Sequence, residues 1–168
     1  MPFLAEIAPA LGWFETGAIA AEIMREGADD AASLAQTLVE SGISSAKGAD
    51  AVTQLARLST RVGEIPGYTV LGSYPEYIEH AHEKGYTFFN MPDEVWGLLR
   101  NAGEAFVWAV NRRFLDERIA AGDSFIIQRG VVPGTNDLRR VGVYLQMEID
   151  YLLELGYQWV DNMLVPGG

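Results

Sequence analysis

Trp108-Ala109-Val110-Asn111-Arg112-Arg113-Phe114-Leu115-Asp116-Glu117-Arg118-Ile119-Ala120-Ala121-Gly122-Asp123 runs directly into Ser124-Phe125-Ile126-Ile127-Gln128, and this junction decides the fold class. The first part reads as one helix closed by a glycine. The second is a short apolar run of the kind that fills a buried strand. Stepping about 100° per residue, Val107, Trp108, Val110, Phe114, Leu115 and Ile119 gather with Phe106 on one side of the helix. Arg112, Arg113, Asp116 and Glu117 fall opposite. Asn111 and Arg118 land on the apolar side. A buried amide must find hydrogen-bond partners or cost about 1–3 kcal/mol, so Asn111 either pins a neighbouring loop or faces a ligand. The stem of Arg118 can pack near the helix end while its head reaches water.

Strands and helices alternate outward from this junction. Towards the N-terminus, Tyr68–Gly72 reads as a strand, and Ser73 with Glu76 has the spacing of a capping box. The helix it opens carries Tyr77, Ile78 and Ala81 inward and stops at Gly85. Tyr86–Asn90 is a second strand, closed by Pro92. Helical sequence then resumes at Asp93, with Gly103 as its natural break. Towards the C-terminus, a loop with Pro133 and Gly134 leads to a helix from about Leu138 to Leu155, then a fourth strand at Tyr157–Val160. Such alternation argues for βαβ units. The expected fold is α/β: a small Rossmann-like, largely parallel sheet with flanking helices, preceded by an all-helical N-terminal segment.

That first segment repeats apolar residues at helical spacing, through Leu4, Ile7, Leu11, Phe14, Ile19 and Ile23, then Leu34 and Leu38, then Val52, Leu55, Leu58 and Val62. Glycines sit at the expected helix ends, and Ser44 or Ser45 can cap a following helix. The breaker cluster Gly63-Glu64-Ile65-Pro66-Gly67 divides a helical segment, residues 1–63, from an α/β domain, residues 67–168.

Composition narrows the chemistry. With no cysteine among 168 residues, disulfides, thiolate metal sites and cysteine nucleophiles are excluded. A net charge of −11 lowers the expectation of nucleic-acid binding, which calls for a basic footprint. The N-terminus lacks the basic region of a signal peptide, and the uncharged runs near it are far too short for a membrane span. No stable membrane anchor is expected. His80 and His82 are two residues apart, which does not put them on one helix face as a metal pair. No metal and no cofactor are expected.

Ligands of open parallel sheets bind beyond the carboxyl ends of the strands. Those ends are Gly72-Ser73-Tyr74, Asn90-Met91-Pro92 and Gln128-Arg129. The helix opening at Ser73 would offer free backbone N–H groups to an anion, although an ordinary capped turn has the same sequence. On the last helix Leu138, Val141, Leu145, Ile149 and Leu152 mark the apolar face, and Glu148 falls within about 40° of its centre. A carboxylate there is either paired with an arginine or held partly desolvated with a raised pKa. Glu148 and Asn111 are the candidate catalytic residues. Ser73, Tyr74, Tyr77, Asn90, Trp108 and Arg129 are the candidate substrate-binding ones. Arg112, Arg113, Arg129, Arg139 and Arg140 form either a local basic patch or a dispersed, ion-paired surface.

Several short pieces in order also resemble a domain at the C-terminal tips of bacterial polymorphic toxins of the contact-dependent-inhibition, filamentous-haemagglutinin-like and Rhs types. They are Val70-Leu71-Gly72-Ser73-Tyr74-Pro75-Glu76-Tyr77, Phe89-Asn90-Met91-Pro92 with Val95-Trp96, and Trp108-Ala109, Asn111, Phe114-Leu115-Asp116, Ile119, Gly122-Asp123. The last is Glu148 with Tyr151-Leu152 and Gly156-Tyr157. The resemblance covers about 100 residues. It implies a secreted antibacterial effector delivered into the cytoplasm of a neighbouring cell, with a cognate immunity protein as partner. The helical first third would then be a connector, either a compact three-helix unit or an aid to membrane passage. The resemblance names no reaction. The residues point to an enzyme acting on a nucleotide-like small molecule such as NAD. An RNase or other nuclease toxin and a non-catalytic interaction module are the alternatives.

Overall fold

The computed structural model describes residues 30–74, 76–129, 134–135 and 142–167. The apolar series from Leu4 to Ile23, the arginines Arg139 and Arg140, and Leu138 and Val141 lie outside the described residues. In chain order the elements are α1 (30–41), α2 (Ala46–Leu58), β1 (Thr60–Arg61), β2 (Tyr68–Gly72), α3 (Glu76–Lys84) and β3 (Thr87–Phe89). There follow α4 (Asp93–Ala102), α5 (Glu104–Ala120), β4 (Ser124–Gln128), α6 (Val143–Glu154), β5 (Gln158–Val160) and β6 (Met163–Val165). They form two compact units. A helical unit takes Met1–Leu58 and Met91–Val110, and a sheet unit takes Ser59–Asn90 and Asn111–Gly168.

The helical unit buries small and aliphatic side chains. Ala31, Ala35 and Leu38 come from α1, Ala51, Val52, Leu55 and Ala56 from α2, and Val95 and Leu99 from α4. Alanine at these positions lowers the side-chain entropy lost on burial and allows close backbone approach. Ser45 caps α2, its Oγ accepting the Gly48 N–H at 2.9 Å. The apolar periodicity of the sequence continues to Val62, but α2 ends at Leu58. The next residues join the sheet instead: Thr60 and Arg61 pair antiparallel with Phe89 and Phe88. Strand pairing outweighs helical propensity here, and Val62 is left 77% exposed.

The sheet unit holds one six-stranded mixed sheet in the order β1-β3-β2-β4-β6-β5. Only β3-β2-β4 are parallel. The pairings β1–β3, β4–β6 and β5–β6 are antiparallel. The expectation of a largely parallel sheet is corrected on this point, because both flanks carry reversed strands. Parallel neighbours need a crossover of a dozen or more residues, whereas antiparallel ones need only a turn. Between β5 and β6 the chain has only a two-residue turn, so the two strands form a hairpin, and Asp161 turns it with a left-handed φ of 57°.

Each face of the parallel centre has its own cover. Val70, Phe88 and Ile126 pack with Ala81 of α3, flanked by Tyr77, Ile78, Tyr86 and Met163. The alternate residues project to the other face, where Phe89 meets Phe114 of α5 with ring centroids 4.9 Å apart. Phe125 meets Tyr157 there at 5.6 Å. Two glycines make the centre possible. A Cβ on Gly72 would lie 1.9 Å from the Gln128 carbonyl oxygen, so no other residue fits at the end of β2. Gly122, at φ 85°, reverses the chain after α5. The Asp123 N–H then returns to the Arg118 carbonyl at 3.1 Å, a Schellman-type closure that feeds directly into β4.

Candidate active site

The helical phase of α5 buries Val110, Asn111, Phe114 and Leu115 and leaves Arg112 in solvent. Asn111 is therefore carried inward by its neighbours, and it is 5% exposed. On α6 the same logic buries Leu145, Glu148, Ile149 and Leu152. Glu148 is 8% exposed. The two polar side chains meet. Asn111 hydrogen-bonds to the Glu148 carboxylate, with the amide N–H₂ as the only group able to donate. The amide Oδ1 has no hydrogen-bond partner among the described residues.

Burial dominates the electrostatics of Glu148. Removal from water disfavours the carboxylate, and the Asn111 hydrogen bond offsets only part of that. The result is a carboxyl whose pKa is pushed up to about 7. Tyr77 of α3 is close enough to feel this charge. Burial, then Glu148, then Tyr74 hold its phenol protonated well above the usual range. Its hydroxyl donates to the Phe89 carbonyl at 2.6 Å, which places it at the carboxyl end of β3. Glu148 and Asn111 thus form a buried polar pair contributed by α6 and α5, with half-buried Tyr77 of α3 within electrostatic reach of the carboxyl.

The other candidates stand in different relations to this pair. Tyr74 is 69% exposed, with its ring 6.5 Å from that of Tyr77. Ser73 joins strand to helix. Its N–H continues the ladder to the Gln128 carbonyl at 2.9 Å, and its carbonyl accepts the Tyr77 N–H at 3.0 Å. Arg129 follows Gln128 at the end of β4 and is half-buried. Asn90 follows Phe89 and gives its N–H to the Ser59 carbonyl at 2.8 Å. All four lie at the carboxyl ends of the parallel strands or within two residues of them. Trp108, on α5, belongs to the helical unit.

A second polar cluster, not foreseen from the sequence, occupies the other end of the strands. Asp123 is 3% exposed and accepts the Thr69 hydroxyl at 2.7 Å. Arg118 lies 3.7 Å from the same carboxylate oxygen, and the Tyr157 hydroxyl reaches the Asp123 carbonyl at 3.3 Å. Arg118, placed on the apolar side by phase, is there to pair with Asp123. The signal was a charged residue on that face five positions before an aspartate at the mouth of a strand.

The surface arginines of α5 are also engaged. Arg112 donates to the Tyr151 hydroxyl and lies over its ring, 5.1 Å from the centroid, while Tyr151 donates to Asp116. Arg113 lies 3.5 Å from Glu117. His82 packs 5.1 Å from the Phe88 ring, and burial lowers its pKa. Among the described residues, no three His, Cys, Asp or Glu side chains gather to hold a metal ion, and no helix is long and apolar enough to cross a membrane. In comparisons with known proteins, no family model, no curated protein and no solved structure matches the chain.

Proposed function

We propose that this chain is a secreted antibacterial effector whose sheet unit, read as a small Rossmann-like layer, is an enzyme acting on NAD or a related nucleotide in the cytoplasm of a neighbouring bacterial cell. A cognate immunity protein protects the producer. The feature that carries the reading is Glu148, a buried carboxyl whose pKa is pushed up to about 7, held by Asn111 and within electrostatic reach of Tyr77 at the end of β3. At neutral pH such a group exists in both forms, so it can take or give a proton. Desolvated carboxyls of this kind concentrate at active sites.

The reaction that suits it is cleavage of a glycosidic bond to a positively charged heterocycle. Water attacks the anomeric carbon, and the carbon–nitrogen bond breaks with its electron pair moving onto the ring nitrogen. The leaving group needs no proton, because it departs neutral. Glu148 takes the proton from the attacking water, and Asn111 holds the carboxylate in place. Tyr74 and Tyr77 offer aromatic faces to a flat ring. Ser73, Asn90 and Arg129 line the strand ends where the phosphates would lie.

The nuclease alternative needs arginines for phosphate, and Arg112, Arg113 and Arg118 are taken up by carboxylate or phenol partners. The net charge of −11 weighs the same way. Purified protein incubated with NAD and related nucleotides tests the reading, with Glu148→Gln as control. Turnover should fall by about 10²–10⁴-fold in the variant. Absence of turnover with every nucleotide would refute the enzyme on nucleotides. Intact cells and an unaffected Glu148→Ala would favour the non-catalytic module.

A further inference from the structure

The unused end of the Asn111 amide has a consequence for what this site can hold. Buried polar atoms in folded proteins are nearly always paired. Asn111 spends its N–H₂ on Glu148 and leaves Oδ1, an acceptor, without a partner among the described residues. That bond also restricts rotation of the amide, so Oδ1 keeps a defined direction. An acceptor is matched by a donor, such as the N–H of a primary carboxamide or an aminoheterocycle. A carboxylate offers no donor and would bring a second negative charge against Glu148.

We infer that Asn111 is a specificity-determining residue whose Oδ1 accepts an N–H from an amide-type edge of the substrate. This rests on the reading of Asn111 and Glu148 as the substrate site and narrows its substrate class. Ligands that keep the shape and lose the N–H are rejected. One source of such an edge is the carboxamide of a nicotinamide nucleotide, and another is the amino edge of adenine.

Binding to the intact chain tests this without requiring turnover. By titration calorimetry, NAD is compared with its 3-acetylpyridine analogue, which keeps the carbonyl and replaces the amide N–H₂ by a methyl group. Adenosine is compared with purine riboside, which lacks the amino group. One pair should show a preference of about tenfold or more for the N–H-bearing member, the loss that goes with an unpaired buried acceptor. The discriminated pair identifies the source. Asn111→Leu, close in volume and apolar, should bring the two members of that pair to equal affinity. In Asn111→Asp, which keeps an acceptor and loses the N–H₂, the preference should persist in part. Equal affinities within both pairs for the unaltered protein, or no binding of any of the four, overturn the inference. So does a preference that survives intact in Asn111→Leu. Discriminated binding with no turnover would refute the enzymatic reading alone, and turnover without discrimination would refute this inference alone.

Discussion

Among the described residues two carboxylates of the sheet unit are buried, Asp123 and Glu148, and they are treated in opposite ways. Asp123 at the amino end of the parallel strands receives the Thr69 hydroxyl and faces the Arg118 guanidinium. Glu148 on α6 receives the Asn111 amide, and no cation among the described residues offsets its burial. A charge supplied with a donor and a counter-ion can remain charged out of water. A charge given one neutral donor becomes a proton acceptor in the neutral range. The first arrangement holds a structure together, and the second leaves a titratable group at some expense in stability. Burial alone does not separate them. The partners do.

Removing each carboxylate should therefore have opposite consequences for stability. The largest effect is expected for Asp123→Ala, which leaves Arg118 facing an apolar end without its partner. Loss of one member of a buried pair costs about 3–5 kcal/mol, and urea denaturation at neutral pH should show a loss of that order. A loss below about 1 kcal/mol would remove the distinction drawn between the two carboxylates.

Next in size is Glu148→Gln, which should stabilise the protein, and only at higher pH. A carboxyl raised in the folded state binds more protons than in the unfolded chain between the unfolded pKa of about 4.5 and the folded one of about 7. Stability due to this group is intact below about 4.5, is lost as pH rises through 7, and is flat beyond. The difference of about 2.5 pKa units corresponds to about 3 kcal/mol. Melts of both proteins should coincide near pH 4 and separate by pH 8, the variant being the more stable. Coincidence at both pH values would mean that Glu148 has a partner that keeps it charged. The smallest effect is expected for Arg112→Ala. Its links to Tyr151 and Asp116 are exposed to solvent, so the change should stay under about 1 kcal/mol. A larger loss would show that α5 and α6 are fastened from outside rather than by their buried faces.

The two carboxylates and their partners were not equally legible in the sequence. Asn111 and Glu148 stood out because each breaks a run of apolar residues at helical period, and a polar side chain on an inward face calls for a reason. Their meeting needed the tertiary structure. Thr69 could not stand out in the same way, since threonine is a common strand residue with no need of a partner. Asp123 read as the tail of a glycine turn. The strands of the parallel centre were legible because Val70-Leu71 and Phe125-Ile126-Ile127 are short apolar runs between breakers. β1 was not, because Thr60-Arg61 continues a helical period and becomes a strand only by pairing with β3. β6 was missed for a similar reason: Met163-Leu164-Val165 gains its partners from β4 and β5, and nothing local marks it.

The hydrogen bond between Thr69 and Asp123 also bears on how the chain finds its fold. It joins residues 54 positions apart, at the first rungs of a pairing that sets Tyr68 beside Ser124 and Gly72 beside Gln128. Strands so distant in sequence come together late and slowly, because a long loop must close before any contact rewards it. A misalignment by one residue would turn every side chain to the wrong face, and burial forbids it. A misalignment by two keeps the faces and is opposed mainly at the ends. Thr69 would then lose Asp123 at one end, and at the other the close approach of Gly72 to the Gln128 carbonyl would be lost. The polar pin and the bare glycine therefore act as two alignment marks for one register.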